Sequence, residues 1–165
     1  MLGIMVRERK HRLPDAAYYG PKTVAITACA LDRACFLTDP EVFHSFVEQL
    51  EMHARAFECL VPIYCFMPDH LHILIQGTNL RSRPMFAIDE FKLTSAMWLV
   101  NNHPEWHWQK DYWDHLIRKM VDWKRQAFYI LNNPVRKGLI VDPYEYPLTG
   151  SIGYDLREML ADISW

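Results

Sequence analysis

The sequence predicts an α+β fold: a ferredoxin-like antiparallel sheet with helices packed on one face, forming a single domain over residues 1–165. Two observations carry this expectation. Short β-branched runs with apolar residues at period two mark four strands, and longer stretches with apolar residues at helical spacing lie between and after them. The order therefore reads strand, helix, strand, strand, helix, strand, helix. With half its residues apolar and 13% aromatic, the chain can bury a core and is too apolar to be disordered.

Each element has a local reason. A basic arm over about residues 1–20 opens the chain, where Arg7, Arg9, Lys10 and Arg12 can lie along phosphates or simply form a solvated tail. Lys22 to Cys29 is rich in β-branched residues and forms the first strand. Thr38-Asp39-Pro40-Glu41 reads as a capping box with proline at the first helical positions, and Phe43, Phe46, Val47, Leu50, Ala54 and Phe57 follow as a core stripe. Val61 to Met67 is the second strand, Pro68-Asp69 a tight connection and His70 to Gln76 the third strand. A loop with Arg81 and Arg83, candidate DNA contacts, leads into a helix from Phe86 to Val100, on which Lys92 reads as an exposed lysine able to face a phosphate. Asp114 to Arg118 offers a fourth strand. The last amphipathic helix runs from about Asp122, its cap, to Asn132, where Pro134 stops it. A terminal helix over about residues 154–165 would present Leu156, Met159, Leu160 and Ile163 as one apolar face, docked on the domain or on a second subunit.

Bulk properties narrow the function classes. A net charge of −2 and a pI near 6.4 give no global basic field, so any nucleic-acid contact must use local patches. Cys29, Cys35, Cys59 and Cys65 form no Cys-x-x-Cys pair, which favours reduced thiols and a cytoplasmic location. The apolar start followed by basic residues reverses the order of a signal peptide, and no stretch reads as a membrane span.

His70 and His72 stand two residues apart in a strand and so share a face, while Leu71, Ile73 and Ile75 point to the other. Two parallel imidazoles make two arms of a metal site, although a lone His-x-His serves equally as a pair of structural strand histidines. Tyr129 and Asn133 are four residues apart and share a helix face, but Asn133 precedes a proline, which disfavours the α conformation there. Trp106, Trp108, Tyr112 and Trp113 read as core or as base-stacking surface, and His107 and His115 among them as structural.

Three blocks occur in order: Met67-Pro68-Asp69-His70-Leu71-His72, then Trp108 to Arg118, then Tyr129-Ile130-Leu131-Asn132-Asn133-Pro134-Val135-Arg136-Lys137-Gly138-Leu139. Together they resemble the Y1 HUH transposases, and most closely the REP-associated tyrosine transposases, from about Arg9 to Ser151. The resemblance implies a ferredoxin-like fold of the HUH endonuclease type and a single-stranded DNA endonuclease and strand transferase. It implies Tyr129 as the nucleophile, and His70, His72 and Asn133 as ligands of a divalent metal. It also implies hairpin or palindromic single-stranded DNA as partner and a nucleoid-associated place in a bacterial cytoplasm. A catalytically silent hairpin-binding protein of the same family is the alternative, and monomer and homodimer both remain open.

The residues suit that chemistry. A phenol titrates near ~10, so its attack on phosphorus needs help in losing a proton and in stabilising charge on the phosphoryl oxygens. Two imidazoles and an amide oxygen favour Mg²⁺, with Mn²⁺ as a strong substitute, over Zn²⁺. Arg136 and Lys137, just past the tyrosine helix, join the arm as candidate phosphate contacts.

Overall fold

The computed structural model describes residues 12–161. Arg7, Arg9, Lys10 and Ile163, singled out from sequence, lie outside the described residues. The elements follow the expected order and add to it: β1 (Thr23–Ala30), α1 (Pro40–Ala56), β2 (Cys59–Phe66), β3 (His70–Gly77), α2 (Pro84–Asn102), β4 (Trp108–Ile117), α3 (Met120–Leu131), α4 (Asn133–Arg136), β5 (Thr149–Ile152) and α5 (Leu156–Ala161). The five strands form one sheet in the order β4-β1-β3-β2-β5, with every neighbouring pair antiparallel. Two split β-α-β units, each returning around a central strand, give the ferredoxin-like arrangement.

Period two divides the sheet into two apolar faces. Val24, Ile26 and Ala28 of β1 and Leu71, Ile73 and Ile75 of β3 pack with Phe46 and Leu50 of α1 and Ile88, Phe91 and Leu99 of α2. On the other face, Ala25, Ile63, Cys65 and Leu74 pack with Ala127, Ile130 and Leu131 of α3 and with Leu160 of α5. The α+β class is as expected, but its helices do not all lie on one face: α3 covers the second. The physical reason is its own stripe of Ala127, Ile130 and Leu131, which needs a separate apolar surface once α1 and α2 fill the first.

Several boundaries move for local reasons. The side chain of Asp39, rather than Thr38, caps α1, accepting from the backbone N–H of Glu41 at 2.9 Å and Val42 at 3.3 Å. Asp122 does not cap α3; it lies in the first turn, where a carboxylate still favours the helix dipole, and Lys119 holds the cap position. β4 begins at Trp108, six residues before Asp114, with a register shift against β1 between Ala28 and Ala30. β5 was not anticipated: it is four residues long and contains Gly150, which admits the ring of Tyr64, since a Cβ there would overlap the Tyr64 hydroxyl. α5 is docked on the domain through Leu156, Met159 and Leu160. Among the described residues no helix is long and apolar enough to cross a membrane.

Candidate active site

Four strands present one residue each along a line across the sheet. The register sets Cys65 opposite His72, His72 opposite Thr27, and Thr27 opposite Trp113. Residues opposite one another in a sheet share a face, so these side chains stand together on the α3 side. His70 shares that face, two residues from His72. The two imidazoles lie 4.7 Å apart between centroids, nearly perpendicular at 89°. α3 brings Tyr129 to 5.7 Å from the His72 ring, edge-on at 82°. α3 then ends at Leu131, and Asn133 opens α4 with its amide nitrogen 3.0 Å from His72 Nε2. Tyr129 and Asn133 therefore stand on consecutive helices and not on one, because Pro134 has no N–H to extend α3. All four line an open cleft of about 510 Å³, with Lys137 and Arg33 beside them. Exposure separates their roles: His72 and Asn133 are each only 4% exposed, whereas Tyr129 is 42% exposed.

Hydrogen bonds assign the imidazole nitrogens. The Asn133 amide N–H donates to Nε2 of His72, so Nδ1 carries the hydrogen and donates to the Thr27 hydroxyl oxygen at 3.0 Å. Burial pushes the His72 imidazole down to about 3, and the charges of His70 and Arg33 act in the same direction, so the ring is neutral. His70 Nδ1 donates to Asp69 at 2.6 Å, and Arg33 Nε donates to the same carboxylate at 2.9 Å. Burial alone would raise the Asp69 carboxyl. The bond from His70 and the charges of His70 and Arg33 outweigh it and hold the group below its ordinary value.

With both Nδ1 atoms engaged, Nε2 is the nitrogen each ring can turn to a ligand, on His72 in exchange for the Asn133 N–H it now accepts, the arrangement that fixes metal-binding histidines. The Asn133 amide, now donating to Nε2, also carries an oxygen that suits a hard cation. Cys65, the thiol in this row, is unsuited to soft-metal chemistry: burial raises it to about 11 and its Sγ lies 3.8 Å from the Met67 sulfur. The residues present therefore fit a divalent cation. A separate group, Asp39, Glu41 and His103, clusters where α1 begins, and there the Glu41–His103 contact of 3.2 Å ties α1 to the end of α2.

A family profile described as "Transposase IS200 like" matches residues 23–119, more than half of the chain. The chain belongs to the IS200-like transposase family. The match includes His70 and His72 and ends before α3, so Tyr129 and Asn133 rest on their positions in the fold. A REP-associated tyrosine transposase of Escherichia coli is 28% identical over 114 residues, covering 67% of this chain and 64% of the relative. A Haemophilus influenzae protein carrying a REP-associated tyrosine transposase name is 27% identical over 112 residues, covering 61% and 63% respectively. The chain thus spans less than two thirds of the length of these curated relatives. A solved structure of a REP-associated tyrosine transposase bound to a REP hairpin superposes with a TM-score of 0.71 at 19% identity, covering 85% of this chain and 81% of that one. At that identity the likeness supports the shared fold.

Within this IS200-like fold the expected phosphate contacts divide sharply. Lys137 lines the cleft, and the exposed Arg136 places its guanidinium 4.9 Å from the Tyr129 ring centroid. Arg81 pairs with Glu58 at 2.8 Å, and Arg83 donates to the carbonyls of Leu80, Arg81 and Ser82 and lies over the Tyr19 ring at 4.1 Å. Both follow the Gly77 end of β3, roughly 24 Å of strand away from His70 at ~3.4 Å per residue. Arg12 bonds Asp89 at 3.3 Å, with its side chain only 14% exposed. Lys92 is not an exposed lysine: it is buried, burial lowers it to about 8, and its ammonium donates to the Gln109 carbonyl at 2.6 Å. Sequence reasoning missed Thr27 and Arg33, whose contacts cross between elements and leave no local signal.

Proposed function

We propose that this chain is a metal-dependent single-stranded DNA endonuclease and strand transferase acting at hairpin or palindromic repeats. The observation that carries this is Tyr129, exposed in the cleft and facing His72, where the neutral imidazole meets the Asn133 amide. The REP hairpin bound by the structural relative supports the choice of DNA.

Tyr129 is the nucleophile in this scheme. Its phenolic oxygen gives up its proton to solvent water and attacks phosphorus, the P–O3′ bond breaks, and the 3′ oxygen takes a proton from water as it leaves. The product is a 5′-phosphotyrosine and a free 3′ hydroxyl. One phosphoester replaces another, so a later 3′ hydroxyl reverses the step without ATP. His70, His72 and Asn133 would hold the divalent cation, Mg²⁺ or its substitute Mn²⁺, which when bound supplies positive charge to the phosphoryl oxygens. Thr27 and Asp69 hold the two rings in place, and Lys137 and Arg136 neutralise the approaching backbone.

Denaturing electrophoresis tests this with end-labelled single-stranded hairpin oligonucleotides, in Mn²⁺, in Mg²⁺ and in chelator. A protein–DNA adduct that requires metal and disappears in Tyr129→Phe is the expected result. Hairpins retained on a native gel but never cut under any metal would make the chain a binding protein with unused catalytic residues.

A further inference from the structure

The cleft does not end at Tyr129. Trp113 lines it from β4, is 54% exposed and belongs to neither buried core cluster. A large aromatic turned to solvent costs hydrophobic stabilisation that the two cores could otherwise collect. The His115 ring lies nearly parallel to that of Trp113, with centroids 5.7 Å apart at 15°. Two residues apart on one strand, the pair forms an aromatic ledge beside the histidines. From Trp113 to His72 is two strand spacings, about 10 Å, within reach of a nucleotide whose phosphate sits at the histidines.

His115 also lines a second hollow of about 320 Å³ with Arg118, Lys119 and Asp122, which wraps the edge strand and takes in Tyr18 and Asp114 from its other face. α3 forms the facing wall, where Asp122, Gln126 and Tyr129 recur at helical spacing. The carboxylates along this path already have partners: Asp122 lies 3.9 Å from Arg125, Asp114 accepts from the Tyr18 hydroxyl, and Asp69 pairs with Arg33. Arg118 and Lys119 at one end and Lys137 at the other are exposed cations. A trough with cations at its ends and an aromatic floor matches the charge and shape of an unpaired strand.

We infer that Trp113, backed by His115, is a base-stacking subsite that holds an unpaired nucleobase beside the scissile phosphate, with the strand running along the trough between α3 and β4. This rests on the proposed DNA-cleaving role of the cleft. Stacking is tolerant of base identity, because every base has a π-face, so this subsite fixes the position of the strand and not its sequence.

Fluorescence anisotropy of the full chain tests it with two labelled probes of equal length, single-stranded oligothymidine and a fully abasic deoxyribose-phosphate oligomer. Wild-type protein is expected to prefer oligothymidine by roughly tenfold or more, equivalent to about 1.4 kcal/mol. Trp113→Phe keeps most of that preference, Trp113→Ala loses it, and all three bind the abasic oligomer alike. Tryptophan emission should be quenched by oligothymidine in wild type and much less in Trp113→Phe. A Trp113→Ala protein with the wild-type preference, or a wild type that binds both probes equally, overturns the subsite while leaving phosphate binding intact. A wild type that binds neither probe removes the subsite and the single-strand trough, and if a hairpin oligonucleotide is also not bound the nucleic-acid reading falls with them.

Discussion

Thr27 is the residue on which the orientation of His72 depends. Its hydroxyl accepts from Nδ1 and leaves Nε2 for Asn133, yet the two residues are 45 positions apart in the chain. Thr27→Val keeps the β-branched shape and removes the acceptor, so under the proposed metal-binding role of His72 adduct formation should fall about 10–100-fold. Its thermal unfolding should shift by no more than one lost hydrogen bond, on the order of 1 kcal/mol. Parallel kinetics and thermal melts check this; a variant that cuts at the wild-type rate would remove Thr27 from the mechanism. The pairing of His70 with His72 was legible in the sequence because period two is a local property of a strand. Thr27, Arg33 and the exposure of Trp113 were not, because each depends on register between strands. Lys92 misled for a different reason: α2 is apolar nearly all round, with Phe91 and Leu99 buried and Leu93, Met97 and Val100 exposed, so its periodicity pointed nowhere.

Among the elements, helix ends and the short edge strand separate pattern from structure. Asp39 supplies the cap of α1 through its own side chain, while Thr38, the expected cap, makes no such bond in this helix. Asp39→Ala is therefore expected to cost about 1 kcal/mol and Thr38→Ala markedly less, measured as urea midpoints at constant slope. Equal losses would return the cap to Thr38. Gly77, the last residue of β3, gives a sharper case, since a Cβ there would overlap the Gly20 carbonyl oxygen. Gly77→Ala should destabilise by about 1–3 kcal/mol through overpacking, and a neutral result in the same assay would mean that the Gly20 loop yields. The central strands and α1 were legible because their apolar patterns run for two or more turns or alternations. β5 was not, since four residues including a glycine carry no period. The break between α3 and α4 was half legible: Pro134 announced it, but not that Asn133 would still reach His72.

At the scale of the whole molecule, buried acids set the response to alkali. Burial raises the Cys59 and Cys65 thiols to about 11 from an ordinary 9.0, and the Tyr146 phenol to about 12 from 10.0. A group whose folded value is raised gives stability that is complete below the unfolded value and is lost as pH climbs to the folded one. Lys92, lowered to about 8 from 10.5, acts in the opposite sense, and stability from it is gained over that interval. The phenols of Tyr18, Tyr64, Tyr112 and Tyr154 are raised by burial as well, so the raised acids outweigh the one lowered amine and give a net fall between about pH 9 and 11, each thiol contributing on the order of 1–3 kcal/mol. Urea unfolding across that range should show the fall, and Cys65→Ala should flatten it; an unchanged slope in the variant would mean that Cys65 ionises without cost. The fold class was legible because element order and two faces of period two leave few topologies. The coverage of both sheet faces was not, because nothing local tells a helix which face is already taken.

Covalent joining of Tyr129 to DNA is read by digesting the trapped adduct and locating the modified peptide by tandem mass spectrometry. The proposed chemistry places a nucleotide 5′-phosphate on Tyr129, within the peptide that also carries Ala127 and Phe128. A nucleotide on any other residue, or cleavage that yields free 5′-phosphate ends with no adduct at all, would contradict it and assign the cut to water.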